Sequence, residues 1–264
     1  MKNTIKTIFL VLVMTAGTLS TSITSHASTY VQQLAYDGHD GNRITGFIYQ
    51  NAKTKKDAPL AILMHGLSGS SLYWLAAHNM TYGPELTDML LKKGYRIVAL
   101  DARSHGARKD DMKPMKRLKA ARKGKPARYK EMIENTILDY NFIVEKIENT
   151  FNTPRHTLVI GYSMGAQMGV LFTAQSDAVT YLATMVPPAV TNVPEVSPIN
   201  HAANINVPWL LMTSNKDKYS SKKENINLAA AAEGPVKHVT FDSGHGLPKE
   251  YIEAIEDWMA NTIK

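Results

Sequence analysis

The sequence has 264 residues, of which 44% are apolar, and it carries a formal net charge of +7. A chain of this length and composition can build an ample apolar core, as one large domain or two small ones. It contains no cysteine, which excludes disulfides, thiolate catalysis and cysteine-based metal sites.

The first 27 residues have the pattern of a secretory signal peptide. Lys2 and Lys6 give a positive start, an apolar run follows at residues 8–16, and small residues precede a cleavage site after Ala27. The apolar run is too short to cross a membrane. The sequence therefore predicts export to the periplasm or the medium, with a net charge of +5 once Lys2 and Lys6 are removed. The alternative is an uncleaved N-terminal anchor.

The rest of the chain alternates between apolar runs typical of strands and segments with helical periodicity. Tyr30–Tyr36 and Arg43–Tyr49 flank a turn rich in Asp and Gly, which predicts an antiparallel hairpin. From Pro59 onward strands alternate with helices, and this order favours an α/β fold with a mostly parallel central sheet and helices on both faces. No internal repeat appears, so residues 28–264 are predicted to form a single domain. The predicted later strands are Pro59–Met64, Tyr95–Leu100, Leu158–Ile160, Thr180–Val186, Trp209–Thr213 and Lys237–Phe241.

The stretch Gly161-Tyr162-Ser163-Met164-Gly165 lies between a predicted strand and a predicted helix. A G-x-S-x-G sequence in that context is typical of the nucleophile elbow, a sharp turn that exposes a serine hydroxyl at the top of a sheet. Glycine is expected at both ends because a side chain there would crowd the neighbouring chain. Ser163 is therefore the candidate nucleophile.

A serine is a weak nucleophile unless a base accepts its proton and a third group orients that base. Asp217 and His245 follow the last two predicted strands. Because the carboxyl ends of parallel strands meet at one edge of a sheet, both residues are expected beside Ser163. Asp242 is the nearest rival acid, but its position three residues before His245 fits a strand end better than a facing loop.

Two backbone N–H groups are needed to stabilise the negative charge that develops on a carbonyl oxygen. Met164 directly follows Ser163, and Leu67 follows the first predicted buried strand, so these residues are the predicted oxyanion hole. Tyr73 and Trp74 lie in the same loop as Leu67. They are candidate substrate-binding residues, with packing aromatics as the equally weighted alternative.

These motifs resemble those of the α/β-hydrolase superfamily, in particular small serine hydrolases of the esterase and dienelactone-hydrolase-like kind. The resemblance covers the chain from about Tyr30 to Lys264 and implies the α/β-hydrolase fold, a triad of Ser163, Asp217 and His245, and no metal or organic cofactor. The matching residues are His65-Gly66, Asp101-Ala102-Arg103-Ser104-His105-Gly106, Gly161-Tyr162-Ser163-Met164-Gly165, Asp217 and His245.

The sequence also departs from these relatives. Ser104 stands where they usually carry glycine before the histidine, and only residues 187–206 are available for a lid that is larger in many of them. His65 and His105 are interpreted as structural histidines.

Residues 103–130 break the helix–strand pattern with twelve basic side chains and two acidic ones. Such a run is more often a solvated, mobile surface than a binding site. It also leaves the sheet at the edge where Ser163 is expected. A second hypothesis therefore places it near the mouth of the site, where it favours anionic substrates or holds the protein at an anionic envelope surface.

The leading functional prediction is an exported hydrolase that cleaves a small-molecule carboxylic ester through an acyl-enzyme. An amide or peptide hydrolase and a cofactor-free perhydrolase use the same triad and stay open. The alternative from another functional class is a non-catalytic protein that binds an anionic envelope. The full set of Ser, Asp and His argues against it, because a binding protein does not need all three. Nucleic acid is not an expected partner.

Overall fold

The computed structural model describes residues 29–76 and 81–264, so the predicted signal peptide lies outside the described residues. Within these two ranges eight strands form one sheet. They are β1 (Thr29–Asp37), β2 (Arg43–Asn51), β3 (Leu60–Met64), β4 (Arg96–Leu100), β5 (Thr157–Tyr162), β6 (Tyr181–Met185), β7 (Trp209–Ser214) and β8 (Val236–Phe241).

The strands lie in the order β1-β2-β4-β3-β5-β6-β7-β8. The predicted N-terminal hairpin is confirmed, because β1 pairs antiparallel with β2, and β2 then pairs antiparallel with β4. Strands β3 to β8, including β4, run parallel to one another. Strands β3, β4 and β5 are buried along their whole length, as expected for parallel strands with both faces covered.

The part of the chain that the structure describes contains six α-helices, which cover the two faces of the sheet. One apolar cluster packs α2, α3 and α4 against one face, and a second packs α1 and α6 against the other. None of the helices in the described ranges is long and apolar enough to cross a bilayer. The helices are α1 (Gly83–Lys92), α2 (Pro114–Arg122), α3 (Ala127–Thr150), α4 (Met164–Thr173), α5 (Lys222–Ala230) and α6 (Tyr251–Thr262).

The interpretation of residues 103–130 as a solvated surface is wrong for three of the five arginines in that stretch, whereas Arg122 and Arg128 are exposed. The side chains of Arg103, Arg108 and Arg117 are only 12%, 5% and 4% exposed. Arg103 and Arg108 each contact the fully buried carboxylate of Asp139 on α3 at 2.7 Å. A buried charge without a partner is very unfavourable, so these arginines are held against Asp139. The ion pairs therefore fix the first part of the basic stretch against α3.

Candidate active site

Ser163 occupies the sharp turn between β5 and α4. Its backbone has φ 55° and ψ −116°, outside the regions that ordinary residues favour. A Cβ on Gly161 would lie 2.2 Å from the carbonyl oxygen of Gly165, and a Cβ on Gly165 would lie 1.9 Å from that of Met64. Both positions therefore require glycine for the strand and helix to approach so closely.

The side chains of Ser163, His245 and Asp217 form a hydrogen-bonded chain. Nε2 of His245 lies 2.8 Å from Oγ of Ser163, and Nδ1 lies 2.9 Å from Oδ2 of Asp217. An ionised carboxylate only accepts hydrogen bonds, so Nδ1 carries the imidazole proton and Nε2 accepts from the serine hydroxyl. The structure thus brings together three residues that are far apart in the sequence.

Asp217 is held in place by its own surroundings. Its side chain has no exposed surface, and Oδ1 accepts a hydrogen bond of 2.9 Å from the N–H of Tyr219. The rival Asp242 has a side chain that is 72% exposed and pairs with Lys216 at 3.1 Å. Only Asp217 is therefore placed to orient the imidazole of His245.

Two tyrosines that the sequence analysis missed position the histidine. The hydroxyl of Tyr162 donates to the carbonyl of His245 and accepts from the N–H of Leu247, each at 2.9 Å. The ring of Tyr219 packs edge-on against the imidazole, with ring centroids 4.5 Å apart. Their positions in the sequence could have identified them, because Tyr162 directly precedes Ser163 and Tyr219 lies two residues after Asp217.

The predicted oxyanion residues, Leu67 and Met164, both line a cavity that Ser163 also lines. Met164 is the first residue of α4, where a backbone N–H has no acceptor within the helix. The loop that carries Leu67 turns tightly, with a 3.0 Å hydrogen bond from the N–H of Gly69 to the carbonyl of Gly66. Both N–H groups thus belong to segments that border the serine.

His65 is buried, and both of its ring nitrogens face backbone groups. Nδ1 lies 2.8 Å from the carbonyl of Gly66, and Nε2 accepts from the N–H of Ala102 at 3.1 Å. Burial lowers the pKa of His65, which keeps the ring neutral. These contacts tie the loop after β3 to the loop after β4 and agree with a structural role.

Asp101 organises the loop after β4. Its carboxylate accepts hydrogen bonds from the hydroxyls of Thr45 and Ser71 and from the N–H groups of Ser71 and Ala107. Burial opposes ionisation, but these four bonds outweigh it and lower the pKa of Asp101. A Cβ on Gly106 would lie 2.2 Å from this carboxylate, which explains the glycine that ends the motif.

Ser104, the departure noted in the sequence analysis, has a backbone φ of 68°. This left-handed conformation is strained for residues other than glycine. Its hydroxyl donates a 2.8 Å hydrogen bond to Asp110, which in turn pairs with Arg117 at 2.6 Å. Through Asp110 and Arg117 the serine therefore links the loop after β4 to helix α2, a contact that glycine cannot make.

The two aromatic candidates for substrate binding have different positions. Tyr73 lines a cavity of about 520 Å³ together with Leu67, Ser163 and His245. Trp74 is completely buried in the apolar cluster beneath α1. The prediction that Trp74 binds substrate is therefore wrong, because in the short 3₁₀ helix Ser71–Trp74 the side chain of Trp74 is buried in the core while Tyr73 faces the cavity.

A second cavity of about 360 Å³ lies on another side of Ser163. Its wall includes side chains from α2 in the basic stretch, so the hypothesis that this stretch lies near the site agrees with the structure. The short segment after β6, with only three 3₁₀ turns up to Asn204, forms another part of the wall. The α2 residues that line the cavity are Met115, Leu118 and Arg122.

No group of three or more metal-ligating side chains occurs within residues 29–76 and 81–264. The sequence-predicted residues that do meet at one place are Ser163, Asp217, His245, Leu67, Met164 and Tyr73.

Comparisons with known proteins agree with this architecture. The acetyl xylan esterase from Paenibacillus sp. R4 superposes with a TM-score of 0.72 at 16% identity, covering 93% of this chain and 87% of that one. A cold-adapted esterase from an Arctic intertidal metagenomic library gives 0.70 at 16% identity, covering 92% and 100%. The Pyrococcus horikoshii acylaminoacyl peptidase gives 0.69 at 14% identity, covering 89% and 42%. At these identities the likeness concerns the fold alone.

A comparison with curated proteins gives no significant match. The model of a family described as "Alpha/beta hydrolase family" matches residues 61–208, more than half of the sequence. The matched range begins in β3 and ends just before β7. Sequence and architecture thus lead to the same conclusion: the chain belongs to the alpha/beta hydrolase family.

Proposed function

We propose that the protein is an exported serine hydrolase that cleaves carboxylic esters through an acyl-enzyme. The observation that carries the proposal is the hydrogen-bonded chain from Ser163 through His245 to Asp217, placed at a strained turn between two cavities. Each member of this chain meets a requirement of nucleophilic catalysis: a hydroxyl that borders both cavities, a base in contact with it and a carboxylate that orients the base.

The geometry supports a two-step reaction. Nε2 of His245 accepts the proton of Ser163 as Oγ attacks the ester carbonyl carbon, and Asp217 stabilises the imidazolium that forms. The N–H groups of Leu67 and Met164 bind the oxyanion. When the tetrahedral intermediate collapses, the C–O bond to the alcohol breaks and His245 protonates the departing alkoxide. A water molecule then repeats the sequence on the acyl-enzyme and releases the acid.

Esters are favoured over amides as substrates. Two of the similar structures are named esterases, and both are covered almost completely by this chain. The similar peptidase is covered over only 42% of its length, so most of that protein has no counterpart here. Amide hydrolysis on the same residues is the second candidate. A closer relationship to dienelactone hydrolases stays a prediction from the sequence motifs.

The triad is tested by turnover of a short p-nitrophenyl ester and of the matched p-nitroanilide. Ser163→Ala is expected to lower ester kcat by on the order of a millionfold, as loss of the nucleophile does in well-studied triads. Retention of a tenth of the activity by a correctly folded variant would contradict the assignment. Preference for the anilide over the ester in the wild type would favour the amide hydrolase instead.

Export and contact with an anionic envelope are part of the same proposal. Export rests on the N-terminal sequence pattern, and cleavage after Ala27 is tested by N-terminal sequencing of protein secreted from a bacterial host. Envelope contact rests on Lys116, Lys119 and Lys123, which are exposed and form no ion pair in the described part of the chain. Joint replacement of Lys116, Lys119 and Lys123 by Gln should weaken co-sedimentation with vesicles rich in anionic lipid. Unchanged co-sedimentation would contradict this contact.

A further inference from the structure

The 360 Å³ cavity beside Ser163 is lined by both apolar and polar side chains, and one of the polar ones is a cation. Met115 and Leu118 of α2 supply apolar surface, and Arg122, the last residue of that helix, supplies the guanidinium. In such a cavity a few placed polar or charged groups usually fix the orientation of the ligand. The position of Arg122 therefore bears directly on which ester the cavity accepts.

Arg122 has no carboxylate within ion-pairing distance among the described residues, in contrast to Arg103, Arg108 and Arg117 of the same stretch. Its guanidinium carbon lies 5.7 Å from the ring centre of Tyr219. The ammonium group of Lys218 lies 5.3 Å from the same ring and is also without an ion pair there. Two unpaired cations thus flank the tyrosine that packs against the catalytic imidazole.

Glu224 is the one carboxylate side chain in the described wall of this cavity, and it is already engaged. Its Oε2 accepts hydrogen bonds of 2.7 Å from both the N–H and the hydroxyl of Ser221, which form the capping box of α5. Glu224 therefore stabilises a helix start and leaves the guanidinium of Arg122 available to a ligand.

We propose that Arg122 binds a carboxylate carried by the substrate, so that this site prefers esters with a short apolar part and a carboxylate at its end. The inference rests on the ester hydrolysis proposed above and names the substrate class. A guanidinium presents paired N–H donors that match the two oxygens of a carboxylate, which a lysine in the same place does not. The apolar surface of Met115 and Leu118 would then contact the chain between the carboxylate and the ester.

The test measures selectivity with two matched pairs of neutral and anionic esters. Mono-p-nitrophenyl glutarate against p-nitrophenyl butyrate places the charge on the acyl side, and 4-acetoxybenzoate against 4-acetoxybenzamide places it on the alcohol side. The readout is the ratio of kcat/KM for the anionic ester to that for its neutral partner. Arg122→Gln is expected to lower this ratio about tenfold or more for at least one pair.

Lys119→Gln is the matched control, because it removes the same charge from the exposed surface of the same helix. Long-range attraction of anions would change equally in both variants and would fade at high salt, whereas a direct contact is specific to Arg122 and persists. Equal ratios in the wild type and Arg122→Gln for both pairs would overturn the inference. If the wild type hydrolyses neither neutral ester and Ser163 does not react with a fluorophosphonate, the proposed function fails as well, and the inference falls with it.

Discussion

Asp217 and Asp242 both lie close to His245 in sequence or in space, but only one of them contacts the imidazole. Asp217 is fully buried and 2.9 Å from Nδ1, whereas Asp242 points to solvent and pairs with Lys216. At the scale of single residues, the site therefore depends on Asp217, the carboxylate that is buried after the end of β7.

The role of Asp217 gives the first prediction at this scale. Asp217→Asn should lower kcat/KM for a short neutral ester by about ten-thousandfold, because an amide in that position favours the wrong imidazole tautomer. Steady-state kinetics with the purified variants measures the effect. Asp242→Asn is the matched control and should stay within a few-fold of the wild type, so the opposite ranking would show that the acid has been misassigned.

The elbow between β5 and α4 is the element on which the site is built. Its close approach to β3 leaves no room for a Cβ at Gly165, where the nearest atom is a backbone oxygen that cannot move aside. Gly169, one turn later in α4, meets only side-chain atoms, the nearest being Cγ1 of Val159 at 3.3 Å. Two glycines of one helix thus have different constraints.

Alanine at these two glycines tests the packing of the elbow. Gly165→Ala should lower the free energy of unfolding by about 3 kcal/mol or more, because strand and helix must separate to admit the methyl group. Gly169→Ala should change it by no more than about 1 kcal/mol, since a small side-chain shift is offset by better helix propensity. Urea denaturation measures both values. Equal destabilisation by the two substitutions would contradict the close approach seen here.

Most elements of this fold were predictable, and the exceptions have physical causes. The hairpin and the buried strands follow from apolar periodicity, and the elbow, Asp217 and His245 follow from their order along alternating strands and helices. Helix α2 was missed because its nine residues contain only two buried apolar side chains, Leu118 and Ala121, among lysines and arginines, and so show little apolar periodicity. The burial of Arg103 and Arg108 depends on Asp139, which is more than thirty residues away in sequence.

In the candidate site, too, some features could be predicted from the sequence and others could not. Motif spacing identifies Ser163, but the sequence does not show which aromatic neighbour faces the cavity, and Trp74 turns into the core instead. It also does not show which cation of residues 103–130 reaches the site. Which cation reaches the site depends on how α2 packs against the rest of the domain.

At the scale of the whole molecule, buried neutral histidines make stability depend on pH. His65 and His105 lie together behind the site, with ring centroids 5.1 Å apart. Burial, with a further contribution from His65, lowers the pKa of His105 from 6.5 to about 3. Between pH 6.5 and about pH 3, His105 is protonated in the unfolded chain but not in the folded protein. Folding is therefore progressively disfavoured as the pH falls from about 6.5 towards 3.

His105→Asn tests this linkage, since an amide can replace Nδ1–H in its 2.8 Å hydrogen bond to the carbonyl of Arg103. Between pH 6.5 and 4.5 the free energy of unfolding of the wild type should fall more steeply than that of the variant. The difference in slope should approach about 1.4 kcal/mol per pH unit for one full proton. The range ends above the acid region in which Asp101, with its lowered pKa, is protonated. Parallel slopes would mean that His105 is not buried in its neutral form.

The most direct test of the proposed triad is the site of covalent labelling by a fluorophosphonate, mapped by mass spectrometry. Phosphonylation needs the hydroxyl of Ser163 activated by His245 and an oxyanion hole beside it, so it depends on the whole arrangement at once. We expect one label per molecule, on the peptide that contains Ser163, absent in Ser163→Ala and formed far more slowly in His245→Gln. Labelling of a different residue, or ester hydrolysis by a protein that takes up no label, would contradict the account.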